Sequence, residues 1–291
     1  RETTTLGVRV QPCERVSLRR RVVEVDTRWG RARVKVSGEA GAGGGFAEWA
    51  RLPAGAVLPV FPLGLVPLLH SDVPLRIFEA RYRILFSTIL HGTSVATGLE
   101  EGLEQSEAPW CGTRRFGMCF ADERGQVARV GGILEVGQHE QLEDGQMLVT
   151  SKVVGRFQIE EVLEERPLLV CRVSELEEPD VDADPEAQRL AGEVRDGLQK
   201  VVGLVSSLAG DEVPELPDEL KKLPPGEFSH WIPNWFPRDP QQQQALLEAQ
   251  DVVARLKLEK EVFQETYNYH LARSALKNAF DGDSAEGTAE G

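Results

Sequence analysis

The sequence contains no Gly-Lys dipeptide, and that single absence removes a large class of activities. A phosphate-cradling loop needs glycine amides followed by a lysine and then Ser or Thr, so that amides and ammonium meet the phosphates together. The Gly38–Gly45 run has the glycines without the lysine and reads as a flexible linker. No Gly-x-Ser-x-Gly elbow occurs, which leaves a serine-hydrolase reading without its nucleophile. The histidines His70, His91, His139, His230 and His270 are scattered, without the His-x-x-x-His or His-x-x-Glu-His spacing of a zinc site. The cysteines Cys13, Cys111, Cys119 and Cys171 contain no Cys-x-x-Cys pair, so a disulfide scaffold is not expected and a reducing compartment fits better. The crowded acids Glu160, Glu161, Glu164 and Glu165 read as a solvated face rather than as paired catalytic carboxylates. No catalytic residue, metal site or cofactor is expected, and the chain is read as not an enzyme.

Long apolar runs are missing too. A membrane span needs roughly 18 to 20 apolar residues, and the longest candidate, Val57 to Leu69, is broken by Pro59, Pro62 and Pro67. Positive charge is scarce overall: 47 acidic residues face 33 basic ones, a net charge of −14. Such a surface repels nucleic-acid phosphates and anionic lipid, so neither nucleic acid nor membrane insertion is expected. The balance is uneven, with an Arg-rich first 51 residues and a strongly acidic stretch from Glu160 to Glu193. The sequence begins with Arg rather than Met, which reads as a processed or truncated product.

What is present is ordinary globular material, 41% hydrophobic and 27% charged, enough for one large domain or two modest ones. Residues 1–57 form a basic extension with a Gly-rich linker. Val22, Val23 and Val25, then Val34 and Val36, suggest two short strands; a targeting remnant is the rival reading, weakened by Glu14, Glu24 and Asp26. Residues 58–179 read as mainly β, with strands over Val57–Leu63, Arg115–Phe120, Val127–Val136, Met147–Val154, Phe157–Val162 and Leu168–Leu176. The segments Asp122–Gly125 and Asp144-Gly145 are hairpin turns, and Gly155 marks a bend or bulge between two strand segments. Strands this closely spaced suggest a small closed or nearly closed barrel. One helix interrupts them, with Phe78, Tyr82, Leu85, Phe86 and Ile89 as its apolar stripe.

Residues 180–280 change to the helical period. Asp184-Pro185 starts one helix, whose buried face is Leu190, Val194, Leu198, Val201, Val205 and Leu208. A proline-broken segment with Trp231, Trp235 and Phe236 follows. Asp239-Pro240 then opens one long C-terminal helix with the stripe Leu246, Val253, Leu256, Phe263, Tyr267 and Leu271. Residues 281–291 read as an acidic flexible tail.

The stretch Leu58–Leu69 (LPVFPLGLVPLL), followed by Pro74–Arg83 (PLRIFEARYR), resembles the opening of the N-terminal domain of Lon-type proteases. Val130–Leu134 (VGGIL), Asp144–Leu148 (DGQML), Gly155–Ile159 (GRFQI) and Leu168–Leu176 (LLVCRVSEL) resemble that family's later strands in the same order. Phe228–Ile232 (FSHWI) and Gln244–Glu248 (QALLE) are similar to its helical appendage. Each motif is loose; their joint order is specific. The resemblance implies an α+β fold, a PUA-like β pseudobarrel followed by a helical bundle with a long C-terminal helix. It also implies recognition of unfolded or tagged proteins, with the ATPase and peptidase parts absent. The ending Leu271–Lys277 (LARSALK) looks most like the plant, algal and cyanobacterial stand-alone versions, which favours the plastid stroma over mitochondrial matrix or cytosol.

Two groups of residues are binding candidates. Leu65, Val66, Leu68 and Leu69 sit where a loop is expected, and such an apolar excess requires a cover, with another chain expected to supply it. Trp231, Trp235 and Phe236 either anchor a partner or plug the junction of barrel and helices. Glu79, Arg81, Tyr82 and Arg83 form the best-matched motif and are read as structural, Glu79 at the positive end of a helix and paired with Arg83 four residues on. Three functions compete: a protein- or peptide-binding module, a structural or assembly accessory subunit of a large organellar complex, and an adaptor for regulated proteolysis.

Overall fold

The computed structural model describes residues 22–27, 30–35, 51–91, 107–177, 181, 183–209, 216, 218–234 and 239–286. Two strands, β1 (Val22–Thr27) and β2 (Gly30–Lys35), pair antiparallel as a hairpin of their own. The main sheet holds six strands: β3 (Val57–Leu63), β4 (Asp72–Ile77), β5 (Arg115–Ala121), β6 (Val127–Gln141), β7 (Met147–Glu164) and β8 (Leu169–Glu175).

Strand β3 carries two prolines, each unable to donate to a ladder, yet it has a neighbour on either side. The register resolves the conflict. Val57–Val60 pair antiparallel with β8, and Val60–Leu63 pair parallel with β5, so each half meets one partner only. Pro59 and Pro62 can then turn their missing N–H to the unpaired side, as in an edge strand. The ladder continues from β5 to β6 to β7, and β7 pairs back to β8. Five strands thereby close a ring, the PUA-like pseudobarrel of an α+β fold, and β4 attaches outside the ring to the first half of β7. Strand β7 serves both partners because it is one strand of 18 residues rather than two. At its middle Gly155 opposes Ile133 and Val153 opposes Leu134, which leaves Val154 as the extra residue of a bulge.

Both predicted turns form. Asp122 Oδ1 accepts from the amides of Arg124 and Gln126, and Gly125 takes the left-handed φ of 78° that closes the β5–β6 turn. Asp144 Oδ1 accepts from the Gln146 amide, and Gly145 has φ 75° between β6 and β7. Inside the barrel, Phe157 occupies space that two glycines leave: a Cβ on Gly131 would lie 2.4 Å from the Met118 carbonyl, and one on Gly117 would lie 2.8 Å from the Phe157 ring. Helix α1 (Ala80–His91) closes one end, with Tyr82, Leu85, Phe86 and Ile89 buried, as its spacing predicts. Phe86 meets Phe116 edge-on at 5.1 Å and Phe61 meets Tyr82 at 4.3 Å. Phe78 precedes the helix and stands exposed instead of joining the stripe.

The chain divides into two compact units. The barrel unit includes residues 18–177 and also His230–Glu248, a later segment that the compositional boundary at 179/180 does not include. This segment contains a 3-10 turn (Ile232–Asn234) and α5 (Pro240–Glu248). The helical unit holds α2 (Pro185–Ala209), α3 (Asp218–Lys222), most of α4 (Pro225–Trp231) and α6 (Val252–Glu286). Asp184 caps α2 through the Glu186 amide, 2.9 Å. Leu190, Val194, Leu198 and Val201 form its buried face, while Lys257 and Lys260 of α6 pair with Glu186 and Glu193. Arg195 donates to the carbonyls of Leu220 and Leu223 and lies 4.1 Å over the Phe228 ring.

The long helix expected from Pro240 is two helices. Asp251 stops and restarts it: its carboxylate accepts from the Ala254 amide at 2.6 Å, and its carbonyl accepts from Arg255. Periodicity spans such a break because two helices in tandem can keep nearly the same phase.

Candidate client-binding surface

The loop after β3 is the first candidate, and the structure corrects its expected exposure. Val66, Leu68 and Leu69 are buried, at 4%, 7% and 7%. Val66 and Leu68 pack with Val130 and with Leu247 of α5, flanked by Phe120 and Leu176. Leu69 joins the core beneath α1, with the partly buried Leu65 packed against it. The cover that this apolar loop needs comes from the chain itself. Three side chains tie that cover down: Asn234 Nδ2 donates to the Leu69 carbonyl at 2.7 Å, Gln244 Nε2 to Val130 at 3.0 Å, and Arg156 Nη1 to Leu247 at 2.7 Å. Ser71 Oγ closes the loop on the Leu68 carbonyl, 2.6 Å.

His70 sits at the end of this loop with φ 67°, a left-handed position that histidine tolerates better than most residues. Its ring lies 6.4 Å from that of His230. Burial, and then the Lys152 charge, hold its pKa down at about 4, so it is a neutral imidazole at pH 7.

Trp231 is half-buried at the end of α4; Trp235 and Phe236 lie outside the described residues. In the Glu79–Arg83 motif the ion pair differs from the expected one. Glu79 Oε2 pairs with Arg81 Nε at 2.8 Å, while Arg83 turns away and donates to the Gly145 carbonyl at 3.0 Å. Two residues along a helix start are close enough for the short Arg81 fork, and the β6–β7 turn offers Arg83 a fixed acceptor. Arg81 also lies 4.6 Å over the Tyr82 ring and reaches the Pro167 carbonyl. Glu79 caps α1 through its carbonyl, which accepts from the amides of Tyr82 and Arg83.

Sequence reasoning missed a second surface. Phe78, Ile84 and Leu148 are large apolar side chains with 38%, 41% and 39% exposure. Leu148 and Phe78 lie at the β4–β7 pair near the Asp144–Gly145 turn, and Ile84 is on α1. Leu148 opposes Arg76 in register on the outer face of the β4–β7 pair, and Phe78 follows β4 two residues beyond Arg76. Ile84 is next to Arg83, whose guanidinium holds α1 to Gly145. Polar groups rim this corner: Arg76 Nε donates to Gln146 Oε1 at 2.7 Å, and the exposed Glu140 opposes Leu148 across the ladder. A weak signal was available, since alternation along β4 and β7 puts Arg76 and Leu148 on the outer face. Val162 and Leu163 are also exposed, among the acids at the end of β7.

Chemistry-bearing groups are tucked away. Burial raises the thiol pKa of Cys119, and raises that of Cys171 to about 11, so both stay protonated and weakly nucleophilic. Among the described residues, no group of three or more His, Cys, Asp or Glu is placed to hold a metal ion. None of their helices is long and apolar enough to cross a membrane.

A model of the ATP-dependent protease La (LON) substrate-binding domain matches residues 57–264, well over half the chain. The chain belongs to this family. The match spans the Lon-type barrel, α1 and the helices through the first third of α6. A solved N-terminal domain of Lon protease from the Mycobacterium avium complex shares the fold, with TM-score 0.51 and 17% identity over 72% of this chain and 98% of that one. A Lon N-terminal domain protein from Xanthomonas campestris gives TM-score 0.47 at 21% identity over 69% of this chain and 95% of that one. The Lon protease of Methylocella silvestris is 27% identical over 195 residues, which is 63% of this chain and 22% of that protease. The chain thus matches about a fifth of that relative's length. A separate model, nickel insertion protein, matches residues 1–52, ahead of the Lon-type region.

Proposed function

We propose that this chain is a non-enzymatic module that binds protein or unfolded-peptide clients, with the corner formed by Phe78, Ile84 and Leu148 as its contact surface. The observation that carries the reading is the exposure of three large apolar side chains: Leu148 on β7, Phe78 just after its partner strand β4, and Ile84 on α1 next to Arg83, which bonds to the β6–β7 turn. Apolar area left in water costs about 25 cal/mol per Å², and a partner recovers that when it covers the corner. An unfolded client offers apolar side chains without a fixed shape, and exposed apolar side chains with polar neighbours suit it. The family's description as a substrate-binding domain points the same way. Leu65, partly buried on the loop, and Trp231, half-buried at the end of α4, are the sequence-selected residues that keep some surface. The net charge of −14 favours clients with basic flanks over nucleic acid.

The plastid stroma belongs to this proposal as the working compartment, resting on the unpaired spacing of the cysteines and the resemblance of residues 271–277. Fractionation of the source cell tests that part. The binding itself is tested by fluorescence anisotropy with reduced, carboxymethylated α-lactalbumin, a permanently unfolded probe. Binding of that probe and none of native lactalbumin is the expected result. Equal binding of both, or of neither, would refute the reading. No ATP turnover and no cleavage of the probe is expected from the purified chain.

A further inference from the structure

His91 is the last residue of α1 and His139 lies on β6, and both are exposed. Their rings meet with centroids 5.6 Å apart and planes at 69°. Neither side chain serves the core, since both stand in solvent. Two imidazoles that share one zinc ion bond it at about 2.0–2.1 Å in tetrahedral directions, which puts their ring centres roughly 5 Å apart. A small turn of two exposed side chains covers the difference. The backbone beneath the pair is fixed on both sides. The amides of Gly112 and Arg114 donate to the carbonyls of Thr88 and Ile89, at 3.0 and 2.9 Å, and satisfy the end of α1 just before His91. Arg114 takes a left-handed φ of 59° there, a conformation uncommon outside glycine. Its side chain then donates to the carbonyls of Val136 and Gly137, at 3.0 and 3.1 Å. These bonds tie the end of α1 to the stretch of β6 that leads into His139, and His139 itself is paired with Val149 in the ladder.

We propose that His91 and His139 form a two-histidine chelate for a divalent ion of the zinc class, which staples the end of α1 to β6. Among the described residues no third His, Cys, Asp or Glu is grouped with them, so water completes the coordination. Two nitrogen donors without a carboxylate select zinc, copper or nickel over magnesium and calcium, which need oxygen ligands. The charge of Arg114, felt at His139, selects in the same direction, because only an ion that bonds strongly to nitrogen overcomes it. Two protein ligands make a weaker site than the three or four of a catalytic or structural zinc. The staple joins elements that carry the exposed corner: α1 bears Ile84, and Glu140, next to His139, opposes Leu148. The sequence carries no spacing signal for this pair, since residues 91 and 139 meet only through the fold. The proposal stands apart from the client-binding reading, and an ion can bind whether or not a client does.

The test uses the full chain, stripped with a chelator and titrated with zinc against a chromophoric indicator. Either His91→Gln or His139→Gln should weaken zinc binding by about tenfold or more, while His270→Gln should leave it unchanged. Saturating zinc should raise the melting midpoint of wild type and leave that of His139→Gln where it was, because only a chain that binds the ion gains by mass action. Copper(II) on the wild-type chain supplies a reading that needs no substitution: its EPR spectrum should show hyperfine coupling to two imidazole nitrogens. No uptake of zinc by wild type overturns the proposal. So does uptake that survives both substitutions, or a copper spectrum with one imidazole nitrogen or none.

Discussion

Arg156, in the middle of β7, donates a 2.7 Å hydrogen bond to the carbonyl of Leu247, 91 residues further along the chain. Arg156 is 2% exposed, and this contact fixes the last turn of α5 over the loop that follows β3. A barrel whose strands β5 to β8 follow one another as hairpins thus still depends on a late-arriving segment for part of its surface. Arg156→Ala should loosen that segment by about 2–3 kcal/mol, the range for a buried hydrogen bond from a charged donor. Faster amide exchange across residues 240–248, with a smaller shift in the global melting midpoint, is the expected record. Unchanged exchange there would show that Arg156 does not hold α5.

Leu68 decides where the loop's cover comes from. It is buried against Val66, Val130 and Leu247, so Leu68→Ser should lower stability by about 2–4 kcal/mol in the isolated chain. Leu65→Ser, at a partly buried position, should cost about 1 kcal/mol. Urea denaturation of the two variants measures both. Equal and small losses would restore a cover supplied by another chain.

Much of this was legible beforehand because it is local. Asp122–Gly125, Asp144-Gly145 and the Asp184 cap each bond within a few residues, so their chemistry is written where it acts. The apolar excess of Leu65–Leu69 correctly demanded a cover. Which chain supplied it depended on Arg156 and Gln244 meeting residues 91 and 114 positions away, and no periodicity carries that. The break at Asp251 hid behind a stripe that continues across it. The exposed corner was missed because Phe78 fits the spacing of the α1 stripe, while the helix begins only at Ala80.

His70 gives the fold a dependence on acid. Its pKa of about 4 in the folded chain lies below the ordinary 6.5, so the unfolded chain takes up the proton first as pH falls. Stability is then fully present above about pH 6.5, declines towards pH 4, and levels off below it. The loss should total about 3 kcal/mol, at about 1.36 kcal/mol per pH unit of difference. Asparagine also accepts a left-handed φ, so His70→Asn should flatten the slope between pH 4 and 6.5. Chemical denaturation across that window measures it, and a slope unchanged in His70→Asn would assign the dependence elsewhere.

Arg81 lies in the best-matched motif and is structural in this account. Its ion pair with Glu79 and its contact with the Tyr82 ring are both partly exposed, so Arg81→Ala should cost about 1 kcal/mol. Binding of unfolded lactalbumin by the folded variant should match wild type. Full thermal stability with lost binding would make Arg81 a contact residue instead.

The central claim is that clients meet the barrel at Phe78, Ile84 and Leu148. The most direct measurement compares wild type with the triple variant Phe78→Ser, Ile84→Ser, Leu148→Ser in anisotropy titrations against reduced, carboxymethylated α-lactalbumin. The three side chains are well exposed, so the melting midpoint should move by only a few degrees, about 2–4 °C for each kcal/mol lost. Affinity should fall by about tenfold or more. A triple variant that folds, melts near wild type and binds the unfolded probe with unchanged affinity would contradict the account.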